Sequence, residues 1–287
     1  IPSNNLIQLM SYLFIQIIPQ INGGVYNIKR YRYYIEMNQT MAVILAAGKG
    51  TRLKSDIPKV LHNINNKPMV HCVIDSCLNA SISNICLVVG YKKEDVLTAC
   101  ASYTTSHCVQ TEQLGTGHAV ICAVDAIKQT NPNNVIILAG DCPLIQPTTL
   151  KTLMHTHEST NAAATILTGT LPDAGNYGRI IRNDNNTIIA IQEAKDCTPK
   201  QLTINEFNSG IYCFNTHELL SSLSQLQSNN AQNEYYLTDI ITILTKANKT
   251  VSGHCIDTVY EVLGANTQEE LIELDKKAQT LLQQTQS

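Results

Sequence analysis

The sequence lacks an excess of charge of one sign. Lys and Arg number 20 against 23 Asp and Glu, a net charge of -3, and the one basic run, "KRYRYY" at 29–34, is short. That is not the electrostatic footprint of a nucleic-acid binder, so any phosphate it holds is expected on a small molecule, gripped by a local site. No two cysteines form a C-x-x-C pair, although there are ten. Scattered through apolar runs such as "SISNICLVVG", they read as buried free thiols of a reducing cytosol, without zinc-ligand spacing. The eight histidines do not cluster either; His155 and His157 diverge on either a strand or a helix. Membrane-length apolar runs are missing: "LIQLMSYLFIQIIPQ" (6–20) is too short and broken by polar residues, and it lacks the basic leader of a signal peptide. No repeat of fixed period and no low-complexity tract occurs. The chain is therefore expected in the cytoplasm, with no nucleic-acid or membrane partner.

What is present is 287 residues, 44% apolar and 15% charged, enough for one large or two modest domains around a sizeable core. Residues 1–36 differ in texture from the rest. The expectation is a native start at Met37 or Met41 and a non-native or disordered extension before it, with a main domain over 37–266. From Met41 short β-type runs alternate with helical periods: strands at 41–47, 84–90, 107–112 and 134–141, helices at 68–80, from "KEDVLTACA", and at 115–128. In the first helix Met69, Val73 and Cys77 share a stripe behind an initial proline. This alternation predicts an α/β fold, a Rossmann-like mostly parallel sheet with helices on both faces. After about residue 160 strands predominate ("AAATILTG", "GRIIRN", "TIIAIQE", "NSGIYCFN"), helices resume at 215–226 and 237–247, and a strand follows near 250–256, a mixed second half. The segment 267–287 reads as a helix capped by Thr267 and Glu270, with Leu271, Leu274, Ala278 and Leu281 as a narrow apolar stripe able to pack on its own domain or on a neighbour.

The stretch "AVILAAGKGTRL" (42–53) ends its apolar run in small residues, two glycines and an arginine. In open parallel sheets ligands bind beyond the carboxyl ends of the strands. Small residues let backbone approach a ligand, glycines accept tight-loop torsions, and Lys49 and Arg52 add positive charge. The expectation is an anion cradle, most simply for a triphosphate. It is neither a Walker loop, lacking the upstream glycine, nor a dinucleotide fingerprint, having leucine in place of the third glycine. Alone it reads as an ordinary strand-to-helix turn. Further on, "PKVLH" carries Lys59, "QTEQLGTGHA" follows the third strand, and "LAGDCP" puts Asp141 just past the fourth. In isolation Gln110 reads as a surface polar residue and Asp141 as a cap on the next helix. Their shared place at strand ends favours a functional reading.

Taken together, "LAAGKGTRL", "PKVLH", "QTEQLGTGHA", "AGDCPL", "NYGRI", "IQEAKD", "FNSGIY", "NAQNEYYLTDI" and "EVLGANT" resemble, in order from about Met41 to Thr267, the pyrophosphorylase (uridylyltransferase) domain of bacterial bifunctional N-acetylglucosamine-1-phosphate uridyltransferases. "GKGTR" alone is shared by many sugar nucleotidyltransferases; "QLGTGHA", "YGRI" and "EYYLTD" are more selective. The resemblance implies a fold of the nucleotide-diphospho-sugar transferase type. It also implies the reaction of UTP with N-acetylglucosamine 1-phosphate to give UDP-N-acetylglucosamine and pyrophosphate, for peptidoglycan and lipopolysaccharide precursors.

The resemblance also implies roles. Leu45, Ala46, Ala47 and Gly48 match the backbone lining the nucleotide, as do Ala139 and Gly140; Ala139, where relatives often carry a bulkier or hydroxylated residue, retains only backbone contact. Gln110, Gly115 and Thr116 match uracil-reading positions, and an amide supplies both a donor and an acceptor for one edge of uracil. Arg52 and Lys59 match the cations on the phosphates, and Asp141 and Asn266 the ligands of a magnesium cofactor, with the hard oxygens Mg2+ requires. Gly178, Glu193, Asn208, Tyr236, Thr238 and Asn266 match sugar-contacting positions. Read without the resemblance, Glu193 is an exposed strand-end residue and Tyr236 core. Arg52, Lys59 and Asp141 are the expected catalytic set.

The bifunctional enzymes continue through a linker helix into a β-helix of hexapeptide repeats that acetylates glucosamine 1-phosphate and drives trimer formation. No hexapeptide repeats occur in this chain, so acetyltransferase activity is not expected of it and the oligomeric state stays open. Either the chain is a truncated product or acetylation resides elsewhere. Two competing readings are a transferase of the same fold using another nucleotide or sugar phosphate, and a nucleotide-sugar binding protein without turnover.

Overall fold

The computed structural model describes residues 40–286, with side chains through residue 281; the expected extension over 1–36 and Met37 lie outside the described residues. Strand β1 (Thr40–Ala46) is the run of aliphatics read from the sequence. Met41, Ala42, Val43 and Ile44 are all at most 1% exposed. Since successive strand side chains point to opposite faces, both faces of the sheet are covered, as parallel strands require.

After β1 a small hairpin, β2 (Asn63–Ile64) and β3 (Lys67–Pro68), turns through Asn65 and Asn66. Both asparagines have positive φ, 49° and 62°, the combination a tight hairpin turn needs. Helix α1 (Met69–Asn79) starts directly after Pro68 and buries Met69, Val73 and Cys77. Strand β4 (Asn84–Val89), helix α2 (Lys93–Ala99) and strand β5 (Ser106–Val109) follow. The helix expected at 115–128 is two, α3 (Thr116–Cys122) and α4 (Val124–Thr130). They part at Ala123, whose N–H bonds three residues back to Val120, yet both bury apolar residues in the same core. Strand β6 (Asn134–Ala139) and helix α5 (Pro147–Ser159) complete the first half.

The second half is mixed, as expected: β7 (Ala164–Thr170), β8 (Arg179–Arg182), β9 (Ile188–Gln192), the short α6 (Pro199–Leu202), β10 (Glu206–Asn215), α7 (Thr216–Leu223), α8 (Asp239–Lys246) and β11 (Val251–Cys255). All its strands join the sheet of the first half. The order across that sheet is β11-β7-β10-β6-β1-β4-β5, with the β8–β9 hairpin attached to β10. β1 is parallel to β4 and β6, β4 to β5, and β7 to β11, whereas β10 runs antiparallel to both β6 and β7.

That single reversal positions the site. Because Tyr212 of β10 pairs with Ile137 of β6, the earlier residues Asn208–Gly210 lie at the sheet edge where β1, β4, β5 and β6 end. β8 pairs with β10 at Arg179 and Phe207, which brings Gly178 to the same edge. Helix α9 (Gln268–Gln286) has the expected capping box: Glu270 N–H donates to Thr267 Oγ1 (3.2 Å), and Thr267 N–H to Glu270 Oε2 (3.2 Å). Its stripe packs on its own domain, where Leu274 and Ala278 share a cluster with Ile64, Met69, Leu144 and Ala265. All ten cysteines are free thiols, and Cys255 alone among them is exposed. No helix among the described residues is long and apolar enough to cross a membrane.

Candidate active site

The loop after β1 is held close to the strand ends by its backbone. Gly140 N–H donates to Leu45 O (2.9 Å) and Tyr91 N–H to Ala47 O (3.0 Å), so Leu45–Gly48, the β4 exit and the β6 exit form one rim. Gly50 has φ +67°, and a Cβ there would come within 2.7 Å of Lys59 Cβ. Glycine is what allows the loop to lie against the lysine. The ammonium of Lys49 stands 5.3 Å from the centre of the Tyr91 ring, a cation–π distance.

Four of the expected residues make direct contact. Lys59 Nζ pairs with Asp141 Oδ2 and also donates to Asn266 Oδ1 at 2.7 Å. Arg52 Nη2 donates to that same amide oxygen at 2.9 Å. Asp141 stands two residues past β6 and caps no helix, since α5 begins only at Pro147. The backbone of Ala265 donates to Asp141 O (3.4 Å), and an added Cβ on Gly264 would lie 2.8 Å from Asp141 Oδ2. Glycine there makes room for the carboxylate. The donor set suits a magnesium ion: one carboxylate and one amide oxygen already converge on a single positive charge, and both are hard oxygens. Among the described residues no group of three or more His, Cys, Asp and Glu could enclose a metal, so an ion here would need further oxygens from a bound phosphate. A cavity of about 430 Å³ adjoins the cluster, lined by Arg52, Tyr177, Gly264, Asn266, Glu270 and Lys277 among others.

On the other flank Gln110 is 4% exposed, not a surface residue. Its Nε2 donates to Gly115 O (3.0 Å) and lies 3.2 Å from His118 Nδ1. An open groove of about 660 Å³ runs past it, lined by Gly90, Lys92, Gln110 and Thr111. The "QLGTG" loop is clipped to the "EYYLTD" segment. Tyr235 N–H donates to Leu114 O (2.8 Å) and Gly117 N–H to Tyr235 O (2.7 Å), and the Thr116 hydroxyl accepts from Leu237 N–H (3.2 Å). Gly115, at φ +104°, has no room for a side chain, since a Cβ would meet Tyr235 O at 2.7 Å.

The expected sugar residues form a second linked set. Asn208 N–H donates to Gly178 O (2.8 Å), and the Asn208 amide donates to the Tyr212 hydroxyl (2.7 Å). Thr238 Oγ1 donates to Glu193 Oε1 (2.9 Å). Glu193 is half-buried and not an exposed strand-end residue. Burial raises its pKa above the ordinary carboxylate value and the acidic neighbours Asp239, Asp196 and Glu234 add to this, against the Thr238 hydrogen bond. Tyr236 is buried, and its hydroxyl is engaged by Asp196 Oδ2 (3.1 Å) and by Gln232 Nε2 (2.9 Å). Tyr177, beside Gly178, accepts at its hydroxyl from Gly264 N–H (3.4 Å), which ties this set to the Lys59–Asp141 cluster.

Sequence reasoning passed over Tyr177, Asp196 and the buried Arg179. Arg179 donates to the carbonyls of Ala174, Tyr177 and Gly175 and so fixes the turn before Gly178. The arginine in "YGRI" was visible, but nothing local marks it as buried.

The sequence matches known proteins. The family model described as "Nucleotidyl transferase" matches residues 41–260. Among curated relatives, the "Bifunctional protein GlmU" of Clostridium perfringens is 46% identical over 234 residues, covering 82% of this chain and 51% of the relative. Proteins of the same name from Clostridium tetani and Clostridium kluyveri are 44% and 43% identical, with the same coverage of each chain. The chain thus spans about half the length of the curated relatives it matches. A mostly parallel sheet with its polar residues gathered at the strand ends, and a family match over residues 41–260, lead to one conclusion: this chain belongs to the nucleotidyl transferase family.

Proposed function

We propose that the chain transfers UMP from UTP to N-acetylglucosamine 1-phosphate, giving UDP-N-acetylglucosamine and pyrophosphate, with Mg2+ as cofactor. The observation that carries this reading is the shared oxygen of Asn266, which takes hydrogen bonds from Arg52 and Lys59 while Lys59 also pairs with Asp141. Two cations and two oxygen donors at one point beyond a glycine loop suit a metal-bound triphosphate better than any other ligand class.

In this reading Leu45–Gly48, Ala139 and Gly140 line the nucleotide with backbone, and Gln110, held beside Gly115 and His118, reads one edge of uracil. Glu193, Asn208 and Thr238, with Gly178 leaving space, receive the sugar; Tyr236 supports them from behind through Asp196. An oxygen of the sugar phosphate attacks the α-phosphorus in line, the bond to the bridging oxygen of the β-phosphate breaks, and pyrophosphate leaves. No side-chain nucleophile is needed, so catalysis is positioning and charge stabilisation. Arg52 and Lys59 offset charge on the departing pyrophosphate. When bound at Asp141 and Asn266, magnesium supplies further charge neutralisation at the phosphates.

The test is a coupled pyrophosphate assay across UTP, CTP and dTTP paired with N-acetylglucosamine 1-phosphate, glucosamine 1-phosphate and glucose 1-phosphate. Preference for UTP with the N-acetylated sugar is expected. Faster turnover of another pair would replace the substrate assignment, and tight UTP binding without any pyrophosphate would replace transfer by binding.

A further inference from the structure

Between Arg52 and Lys59 the chain has little secondary structure of its own. A short helical turn covers Thr51–Leu53, Lys54 sits in the left-handed region at φ 49°, and the chain then runs through exposed Asp56 and Ile57 to Pro58. Such an arc, left to itself, would not hold two cations in fixed relation. Two of its backbone carbonyls are taken by side chains from distant elements. Gln268 Nε2, in the first turn of α9, donates to Leu53 O at 3.0 Å. Lys92 Nζ, from the residue preceding α2, donates to Asp56 O at 2.7 Å.

The backbone at Lys92 supports a directed role. Its φ is 46°, a conformation costly for a side-chain-bearing residue and characteristic of constrained sites. The residue before it, Tyr91, ties its N–H to Ala47 O at the root of the same loop, and the ammonium groups of Lys49 and Lys92 stand 5.3 and 5.8 Å from the centre of its ring. Gln268 is two residues from Asn266, the amide that receives Arg52. The two anchored carbonyls, at Leu53 and Asp56, thus lie between Arg52 and Lys59, within the arc that joins the two cations.

We propose that Gln268 and Lys92 are positioning residues that clamp the arc carrying Arg52 and Lys59, so that both cations meet the β- and γ-phosphates of the nucleotide. Neither residue touches substrate in this account; each acts through a loop carbonyl. The inference rests on the nucleotidyl-transfer reading of the site.

The experiment measures both directions of the reaction for Lys92→Met, which keeps the stem and loses the donor, Gln268→Glu, which keeps the shape and turns the donor into an acceptor, and Lys92→Arg, which keeps a cationic donor. Lys92→Met and Gln268→Glu are expected to raise KM for UTP, and for pyrophosphate in reverse, by about five- to tenfold, the scale of one lost hydrogen bond. KM for the sugar phosphate should stay within about twofold, thermal melting should be unchanged, and Lys92→Arg should behave as wild type. Unmoved KM values, a loss shared equally by the sugar phosphate, a fall in melting temperature that tracks the loss, or a Lys92→Arg variant as impaired as Lys92→Met would each overturn the clamp. Wild-type protein run alongside separates the two ideas: no turnover in wild type removes the transfer reading, and turnover with unaffected variants removes only the clamp.

Discussion

Asn266 Oδ1 lies 2.7 Å from Lys59 Nζ, across 207 residues of sequence. The same ammonium pairs with Asp141, so the end of β6 and the start of α9 meet at one charge. If Asp141 and Asn266 are the metal donors, the carboxylate carries more of the affinity than the neutral amide. Asp141→Ala is then expected to lose about two orders of magnitude in turnover, as for removal of a main electrostatic term. Asn266→Ala should lose less and be partly restored by higher magnesium. Pyrophosphate release at saturating magnesium checks both, and a near-normal Asp141→Ala rate would falsify the assignment.

Gly264 tests the same centre by volume rather than charge. A Cβ there would stand 2.8 Å from Asp141 Oδ2, closer than atoms approach without something moving. Since the torsion at Gly264 is not in the left-handed region, Gly264→Ala should fold. It should also push the carboxylate aside and lower turnover about tenfold or more. A magnesium titration is the measurement: the variant should need more metal for half-maximal rate, and an unchanged titration curve would count against Asp141 as a metal donor.

Much of the fold was legible because periodicity reports burial. The run 41–47 and the stripe Met69, Val73 and Cys77 announce themselves through apolar spacing, and the Thr267–Glu270 box through its two polar ends. The β2–β3 hairpin was not, because strands of two residues carry no period; only Asn65 and Asn66 marked its turn. The strand expected over 107–112 ends at Val109, because the chain beyond Gln110 turns off to bond with Tyr235, a partner more than a hundred residues away. For the candidate site, the resemblance named the residues, and strand-end logic supported Asp141 and Gln110. The outer supports, Gln268, Lys92 and Arg179, are polar residues whose partners are backbone carbonyls. Such bonds leave no mark on side-chain spacing, so no pattern in the sequence points to them.

Glu193 gives a case in which stability and function should move in opposite directions. Burial raises its pKa, so the folded protein resists its ionisation more than the unfolded chain does. Its contribution to stability is greatest below the ordinary carboxylate pKa and is lost as pH rises through the raised value. Glu193→Gln keeps an acceptor for the Thr238 hydroxyl and removes the buried charge. The variant is expected to melt higher than wild type at pH 8, with the difference closing as pH falls toward the carboxylate range. Turnover should drop about tenfold or more if the carboxylate holds a sugar hydroxyl. Melting curves at pH 8 and pH 5, with rates alongside, decide it. A variant that is no more stable at pH 8 would contradict the burial argument.

His157 carries the opposite sign. It lies on α5 against β7, where its Nδ1 is 3.0 Å from Thr165 Oγ1, and burial lowers its pKa from 6.5 to about 4. The unfolded chain therefore takes up the proton first. Stability from this group is whole above pH 6.5 and falls as the pH drops from there to about 4, by on the order of 3 kcal/mol over the window. Below about pH 4 both states are protonated and the loss is complete. His157→Gln can still hydrogen-bond Thr165 but does not titrate, so its unfolding free energy should depend less on pH between 6.5 and 4, whatever its value at neutral pH. Urea unfolding of both proteins at several pH values across that window gives the two slopes. Parallel slopes would mean that the imidazole takes up its proton over the same pH range in the folded and unfolded chain, and that the acid sensitivity of the fold has another source.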